Sequence, residues 1–169
     1  MVRRTLRDGT GVLIRPVDPD DKSKLAAGLK ALSRETIYKR FLAAKPRFSS
    51  AELRYLTEVD GVNHIALVAL LEDRPGALIA VARCVRMPDD PETAEFAIVV
   101  GDPWQSLGLG SRLTELLADE ARAVGIRRFA GTMLGDNVPA LRLMRRFATR
   151  LQRDEVGGGV REVVAELAA

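Results

Sequence analysis

The residues of this chain best suited to do chemistry are Gln105, Gly108 and Gly110, spaced as Gln-x-x-Gly-x-Gly, and the acid Glu95 that precedes them. Glycines so spaced let the backbone come close to a ligand and take dihedrals closed to other residues. The first N–H groups of a helix are unpaired and carry partial positive charge, so a helix starting here makes the loop an anion cradle, with phosphate its natural partner. Two phosphate loops are excluded by spacing: there is no Gly-Lys-Ser/Thr ending, and Leu113 stands where a dinucleotide fingerprint has its third glycine. Glu95 offers a second chemistry, since an acid placed beside a ligand can serve as a general base.

The elements around these residues can be read from the pattern. Ala94 to Val100 is apolar apart from Glu95, short and rich in β-branched residues, which predicts a buried strand. Gly101-Asp102-Pro103 stops it. From Ser111 onward Leu113, Leu116, Leu117, Ala121 and Val124 form a helical stripe, with Arg112, Glu115, Asp119 and Arg122 on other faces, so a helix starts near Gly108.

With 169 residues and 47% apolar composition, residues 1–169 can bury a core as one domain. Arg3 and Arg4 are not followed by an apolar stretch of signal-peptide length, and no run approaches membrane-spanning length, so a cytoplasmic location without a membrane partner is expected. The single Cys84 excludes an intramolecular disulfide and a cysteine metal cluster, and it lies in an apolar run as a small buried hydrophobe. The net charge of +3 comes from scattered arginines, and aromatic residues do not interleave with them, so no nucleic-acid partner is indicated.

Taken in order, Val2 to Val17 reads as two strands around Asp8-Gly9. Asp18 or Asp20 caps a helix with Leu25, Ala26, Leu29 and Leu32 inward, Ser33-Arg34-Glu35-Thr36 opens a second helix closed by Pro46, and Ser50 a third with Leu53 and Leu56. Ile65 to Leu71 and Ala77 to Val85 pair antiparallel, and Met87 to Glu92 turns into the Glu95 strand. Phe129 to Leu134 is the next strand, Asp136 or Asn137 caps a helix carrying Ala140, Leu141, Met144 and Phe147, and Thr149 to Val156 and Val160 to Leu167 form a closing hairpin around Gly157-Gly158-Gly159. The fold class is α/β (mixed α+β), a mostly antiparallel central sheet of about seven strands with helices on both faces.

The Gln105-x-x-Gly108-x-Gly110 loop, the preceding Ala94-Glu95-Phe96 and the later Asn137-x-x-Ala140-x-x-Leu143 resemble the pyrophosphate motif and its surroundings in the GNAT N-acetyltransferase family. The order of elements is similar over essentially the whole chain. The wording of Leu6-Arg7-Asp8-Gly9, Ile14-Arg15-Pro16-Val17, Leu32-Ser33-Arg34-Glu35, Leu56-Thr57-Glu58-Val59-Asp60 and His64-Ile65-Ala66-Leu67 resembles the catalytic domain of bacterial protein lysine acetyltransferases.

The resemblance implies acetyl-CoA as co-substrate, no metal, and direct attack of a primary amine, foremost a protein lysine, on the thioester. A homodimer is compatible with it. A small-molecule amine acetyltransferase, or a catalytically weak acyl-CoA-binding sensory module, are the alternatives. Amides of Gln105, Ser106, Leu107, Gly108, Leu109, Gly110 and Ser111 would hold the pyrophosphate, the backbone of Val99 and Val100 the pantetheine arm, and Asn137 would contact that arm while capping its helix. A backbone N–H near Val99 would face the thioester carbonyl. Glu95 is the expected base, since burial in an apolar strand would strengthen it, with Asp60, His64 and Asp102 behind it. His64, the sole histidine, reads as a hydrogen-bonded structural residue. Tyr38, Arg40 and Phe41 are candidate acceptor contacts, or else ordinary packing and a solvated arginine. Many family members place a proton-donating Tyr where this chain has Met144, and Met cannot donate a proton.

Overall fold

The computed structural model describes residues 1–168. One continuous sheet of eight strands, one more than expected, runs in the order β1-β2-β3-β4-β5-β6-β8-β7. Its strands are β1 (Val2–Thr5), β2 (Gly11–Pro16), β3 (His64–Leu71), β4 (Leu78–Met87), β5 (Asp90–Val100), β6 (Arg128–Leu134), β7 (Ala148–Gly157) and β8 (Val160–Leu167). The helices are α1 (Lys22–Lys30), α2 (Arg34–Phe41), α3 (Ser50–Thr57), α4 (Leu109–Ala123) and α5 (Val138–Phe147).

All neighbouring strands are antiparallel except β5 and β6, which α4 joins as a parallel crossover. The stretch expected to turn between Met87 and Glu92 is mostly strand, because β4 and β5 zip up to a tight turn at Pro88-Asp89. The second helix ends before Pro46, at Leu42, whose φ of 56° makes a left-handed cap. Ser49 rather than Ser50 caps α3, in a reciprocal capping box with Glu52.

Strand β3 is buried along its whole length because both sheet faces are covered. Alternation sends Ile65, Leu67, Ala69 and Leu71 to the face that carries α4 and α5, and Ala66, Val68 and Leu70 to the face that carries α1 and α3. On the first face Phe96, Phe129 and Phe147 form an aromatic cluster with ring centres 5.2 to 5.8 Å apart. It ties β5, β6 and the end of α5 together, and such pairs add to the burial of apolar area. Cys84 is fully buried between strands, where desolvation pushes its thiol up to about 12, as a small hydrophobe requires.

The entry to α1 is held by a buried carboxylate. Asp21 has no exposed side-chain surface; it accepts two hydrogen bonds from Arg15 at 2.7 and 2.8 Å, one from Lys24 at 2.7 Å and one from the Asp18 N–H at 2.9 Å. Burial opposes its charge, but these donors more than compensate and hold the carboxyl well below the usual range. A depressed carboxyl contributes stability that is fully present above its unfolded value of about 3.9 and is lost as pH falls toward the folded value. Asp21→Asn should therefore lower the unfolding free energy by about 3 kcal/mol at neutral pH, with the difference from the parent shrinking below about pH 4. Urea unfolding across that pH range measures both.

Candidate functional site

Strands β5 and β6 pair only from Thr93 to Glu95 against Arg128 to Ala130, and beyond that they part. The gap is a cleft of two joined lobes, about 320 and 260 Å³, which share Lys39, Arg40, Ile98, Asn137, Ala140 and Leu143. The outer lobe reaches Gln105, Ser106, Gly108, Gly110 and Ser111, and the inner lobe ends at Glu95. The two features singled out from the sequence therefore lie at opposite ends of one channel.

At the loop end, Ser106 and Gly108 both have positive φ, 62° and 92°. A non-glycine residue in that region is strained, which is a feature of built sites. Gly108 is the N-cap of α4, and the backbone N–H groups of Leu109, Gly110 and Ser111 have no acceptor among the described residues. The side chain of Leu109 is buried in the core, so only its backbone can serve a ligand. Gln105 contributes differently from expectation. Its N–H is taken by Asp102 O, and its side chain donates to Val100 O at 3.0 Å and to Thr36 Oγ1 at 3.2 Å, pinning the loop to β5 and α2.

Arg7 was not singled out as a contact by its sequence, which gave only a hairpin turn there. Its N–H donates to Leu107 O, and its Nε lies 3.9 Å from where a Cβ on Gly108 would stand. Arg112, in the first turn of α4, has a buried Nε without a partner. An exposed guanidinium, free helix amides and an orphaned buried donor fit the pyrophosphate-bearing ligand expected at this loop.

The exposed edge of β5 supplies further donors, with a shift of one residue. Gly101 N–H donates to Ile79 O at 2.8 Å, so alternation turns the amide of Val99 toward β4 and those of Ile98 and Val100 toward the cleft. The donor expected near Val99 is therefore at its neighbours, although Val99 and Val100 both line the cleft.

Glu95 is exposed rather than buried, because its odd position in β5 faces away from the aromatic cluster. The argument that burial strengthens it does not hold, but its place at the cleft end does. The other acids are committed elsewhere. Asp60 accepts from the N–H groups of His64, Val62 and Asn63, which hold its carboxyl well below the usual range. Asp102 is exposed; the slight desolvation it suffers opposes its charge, yet Ser33 and Thr36 donate to it and lower its pKa. It holds Ser33, the N-cap of α2, from across the fold.

His64 is buried, and desolvation together with Arg83 pushes it down to about 4. Arg83 Nη1 donates to its Nε2 at 2.9 Å, so the ring is neutral with its proton on Nδ1, a structural role as expected. Asn137 Oδ1 caps α5 by accepting from Ala140 N–H, and the residue also lines both lobes. Met144 is buried against Gly131 at the inner lobe. Neither Tyr38 nor Tyr55, the chain's two tyrosines, lines the cleft, and both are exposed. Arg40 and Phe41 do reach it.

Comparison with known proteins agrees with this geometry. The sequence model of the acetyltransferase (GNAT) family matches residues 34–148. Acetyltransferase Pat of Mycolicibacterium smegmatis is 36% identical over 158 residues, covering 94% of this chain and 47% of that protein, so the chain spans about half its length. The GNAT domain of S. lividans PAT superposes with a TM-score of 0.87 at 31% identity, over 98% of this chain and 96% of that one. A phosphinothricin acetyltransferase from Sinorhizobium meliloti, solved in complex with acetyl-CoA, shares the fold at a TM-score of 0.73 and 18% identity, over 93% of this chain and 89% of that one.

The two loop glycines should respond differently to substitution. A Cβ on Gly108 would be strained by its φ and would stand 3.9 Å from Arg7 Nε, whereas one on Gly110 would make ordinary contact with Val100 at 3.7 Å. Gly108→Ala should weaken coenzyme A binding about tenfold or more and cost about 1 kcal/mol of stability, while Gly110→Ala keeps the fold and most of the affinity. Calorimetric titration with coenzyme A and thermal unfolding read the two effects separately.

Proposed function

We propose that this chain, which belongs to the acetyltransferase (GNAT) family, transfers an acetyl group from acetyl-CoA to a primary amine, foremost the side chain of a protein lysine. The observation that carries the reading is the channel itself: an anion-binding loop at one end, an unpaired strand edge along its wall, and one uncommitted carboxylate, Glu95, at the other end. The wording shared with bacterial protein lysine acetyltransferases supports lysine as the acceptor.

Acetyl-CoA supplies the thioester carbonyl, and the chain's residues do the rest. Amides of Gly108 to Ser111 with Arg7 and Arg112 hold the phosphates. The open N–H groups of Ile98 and Val100 pair with the pantetheine arm as a strand would, and one of them stabilises charge on the thioester oxygen. A lysine amine with its usual pKa near 10.4 arrives protonated, so Glu95 takes a proton directly or through one water. The amine nitrogen then bonds to the carbonyl carbon, the nitrogen gives up its second proton to solvent as the carbon–sulfur bond breaks, and the departing thiolate takes a proton from solvent. With Met144 where a tyrosine would stand, no side chain is assigned to that last transfer. The same observation favours a slow enzyme, or a sensor of the donor, as the second reading.

Glu95→Gln should lower kcat about a hundredfold with the KM for acetyl-CoA nearly unchanged, because the substitution removes a base and not a donor contact. Unchanged turnover would reject Glu95 as the base. Incubation with labelled acetyl-CoA and size-fractionated cell extract tests the acceptor: label on lysines of large proteins supports the leading reading, label confined to small molecules moves it to metabolite amines, and tight donor binding without transfer favours the sensor.

A further inference from the structure

A second cavity lies on the other side of β5, beneath α1 and α2, with a volume of about 160 Å³. Its walls include Leu29, Phe41, Phe48 and Val81, and a cavity of that size accommodates a body about as large as benzene. Two arginines interrupt this apolar lining. Arg83, on β4, is 6% exposed, and Arg40, on α2, is half-buried.

Neither has a carboxylate within 4 Å among the described residues. Arg83 Nη1 donates only to neutral acceptors, Leu56 O at 3.2 Å and His64 Nε2, and the Arg40 side chain makes no hydrogen bond among the described residues, its guanidinium lying 4.8 Å over the Phe41 ring. The two cations repel each other, and Glu95 offers Arg40 attraction from beyond ion-pair distance. Buried charges are ordinarily paired, because desolvating an unpaired one costs several kcal/mol. A pair of unanswered guanidiniums at an apolar cavity is therefore an anion site waiting for a ligand with an apolar body.

The position of the cavity says where that anion comes from. Ala97 and Val99 line it on one side and the transfer cleft on the other, and Arg40 touches both. Ala97 is two residues, roughly 7 Å, along β5 from Glu95, so a short chain reaches from the reacting centre to the arginines. From this geometry we infer that Arg40 and Arg83 bind a carboxylate carried on a short apolar chain by one of the two reactants. The inference rests on the acyl-transfer reading for which reactants are tried. The carboxylate belongs either to the acyl group of the donor or to the acceptor beside its amine.

Matched pairs of ligands separate these sources by calorimetry on the full chain. Succinyl-CoA against butyryl-CoA varies the charge on the donor; norleucine against norleucinamide varies it on the acceptor. A preference of about tenfold or more for the carboxylate in the first pair assigns it to the donor, and in the second to the acceptor. No preference in either pair overturns the inference. Arg40→Gln and Arg83→Gln should each abolish the preference, and Gln at position 83 still offers a donor to Leu56 O. If Arg83→Gln does not fold, Arg40→Gln decides; a merely structural arginine would shift the melting temperature and leave the preference intact, which also overturns the inference. These are binding measurements, so failure of acetyl transfer in cell extract would reject the functional reading and leave this one to be judged on its own data.

Discussion

Everything functional in this structure depends on how far β5 and β6 stay together. Three residue pairs hold them, and the aromatic cluster of Phe96, Phe129 and Phe147 clamps that end from one face. On the polar side Arg128 reaches back to Asp90 and Thr93, closing the same end at the surface. Past Glu95 no such ties exist among the described residues, and the strands diverge around a space that neither can fill. A sheet normally satisfies its backbone groups by pairing. Here a stretch of edge is left open inside the fold, which is tolerable only where a ligand or water can complete it.

The residues that exploit this gap come from four directions. The loop before α4 closes its mouth, the N-terminus of α5 brings Asn137 to its wall, α2 lies across it, and the first hairpin contributes Arg7 from the far end of the sequence. The opposite edge of β5 remains zipped to β4, which keeps the wall straight. Rigid scaffold and strained loop thus have separate tasks: the sheet fixes distances, while Ser106 and Gly108 hold the unusual dihedrals at the entry to α4, whose first amides have no acceptor among the described residues.

Much of this was legible in the chain because it is written locally. The loop glycines, the Asn137 cap and the apolar runs of β3 to β5 are patterns spanning a few residues, and they appear where expected. What local pattern could not reveal was direction and partnership. Glu95 reads as buried because its neighbours are apolar, yet a strand has two sides and its own faces out. Asp102 and Asp60 read as spare acids, and only the fold reveals that helix caps and turn amides occupy them. Arg83 reads as one polar residue in a core strand, and nothing near it in sequence announces Arg40 on α2 or the shared cavity. Pairings across tens of residues are tertiary facts, and spacing carries no trace of them.

The hydrogen bonds that fasten α2 have a thermodynamic corollary. Asp102 holds Ser33 and Thr36, Thr36 accepts from Gln105, and Gln105 holds the carbonyl of Val100. One turn further along the same helix, Arg40 lies on the face that Thr36 occupies. The glycine loop and the inner lobe of the cleft are therefore tied to the same helix. Any displacement of that helix by one ligand is felt by the other, and detailed balance requires the effect to be mutual: whatever factor a seated donor applies to acceptor affinity, the acceptor returns to the donor.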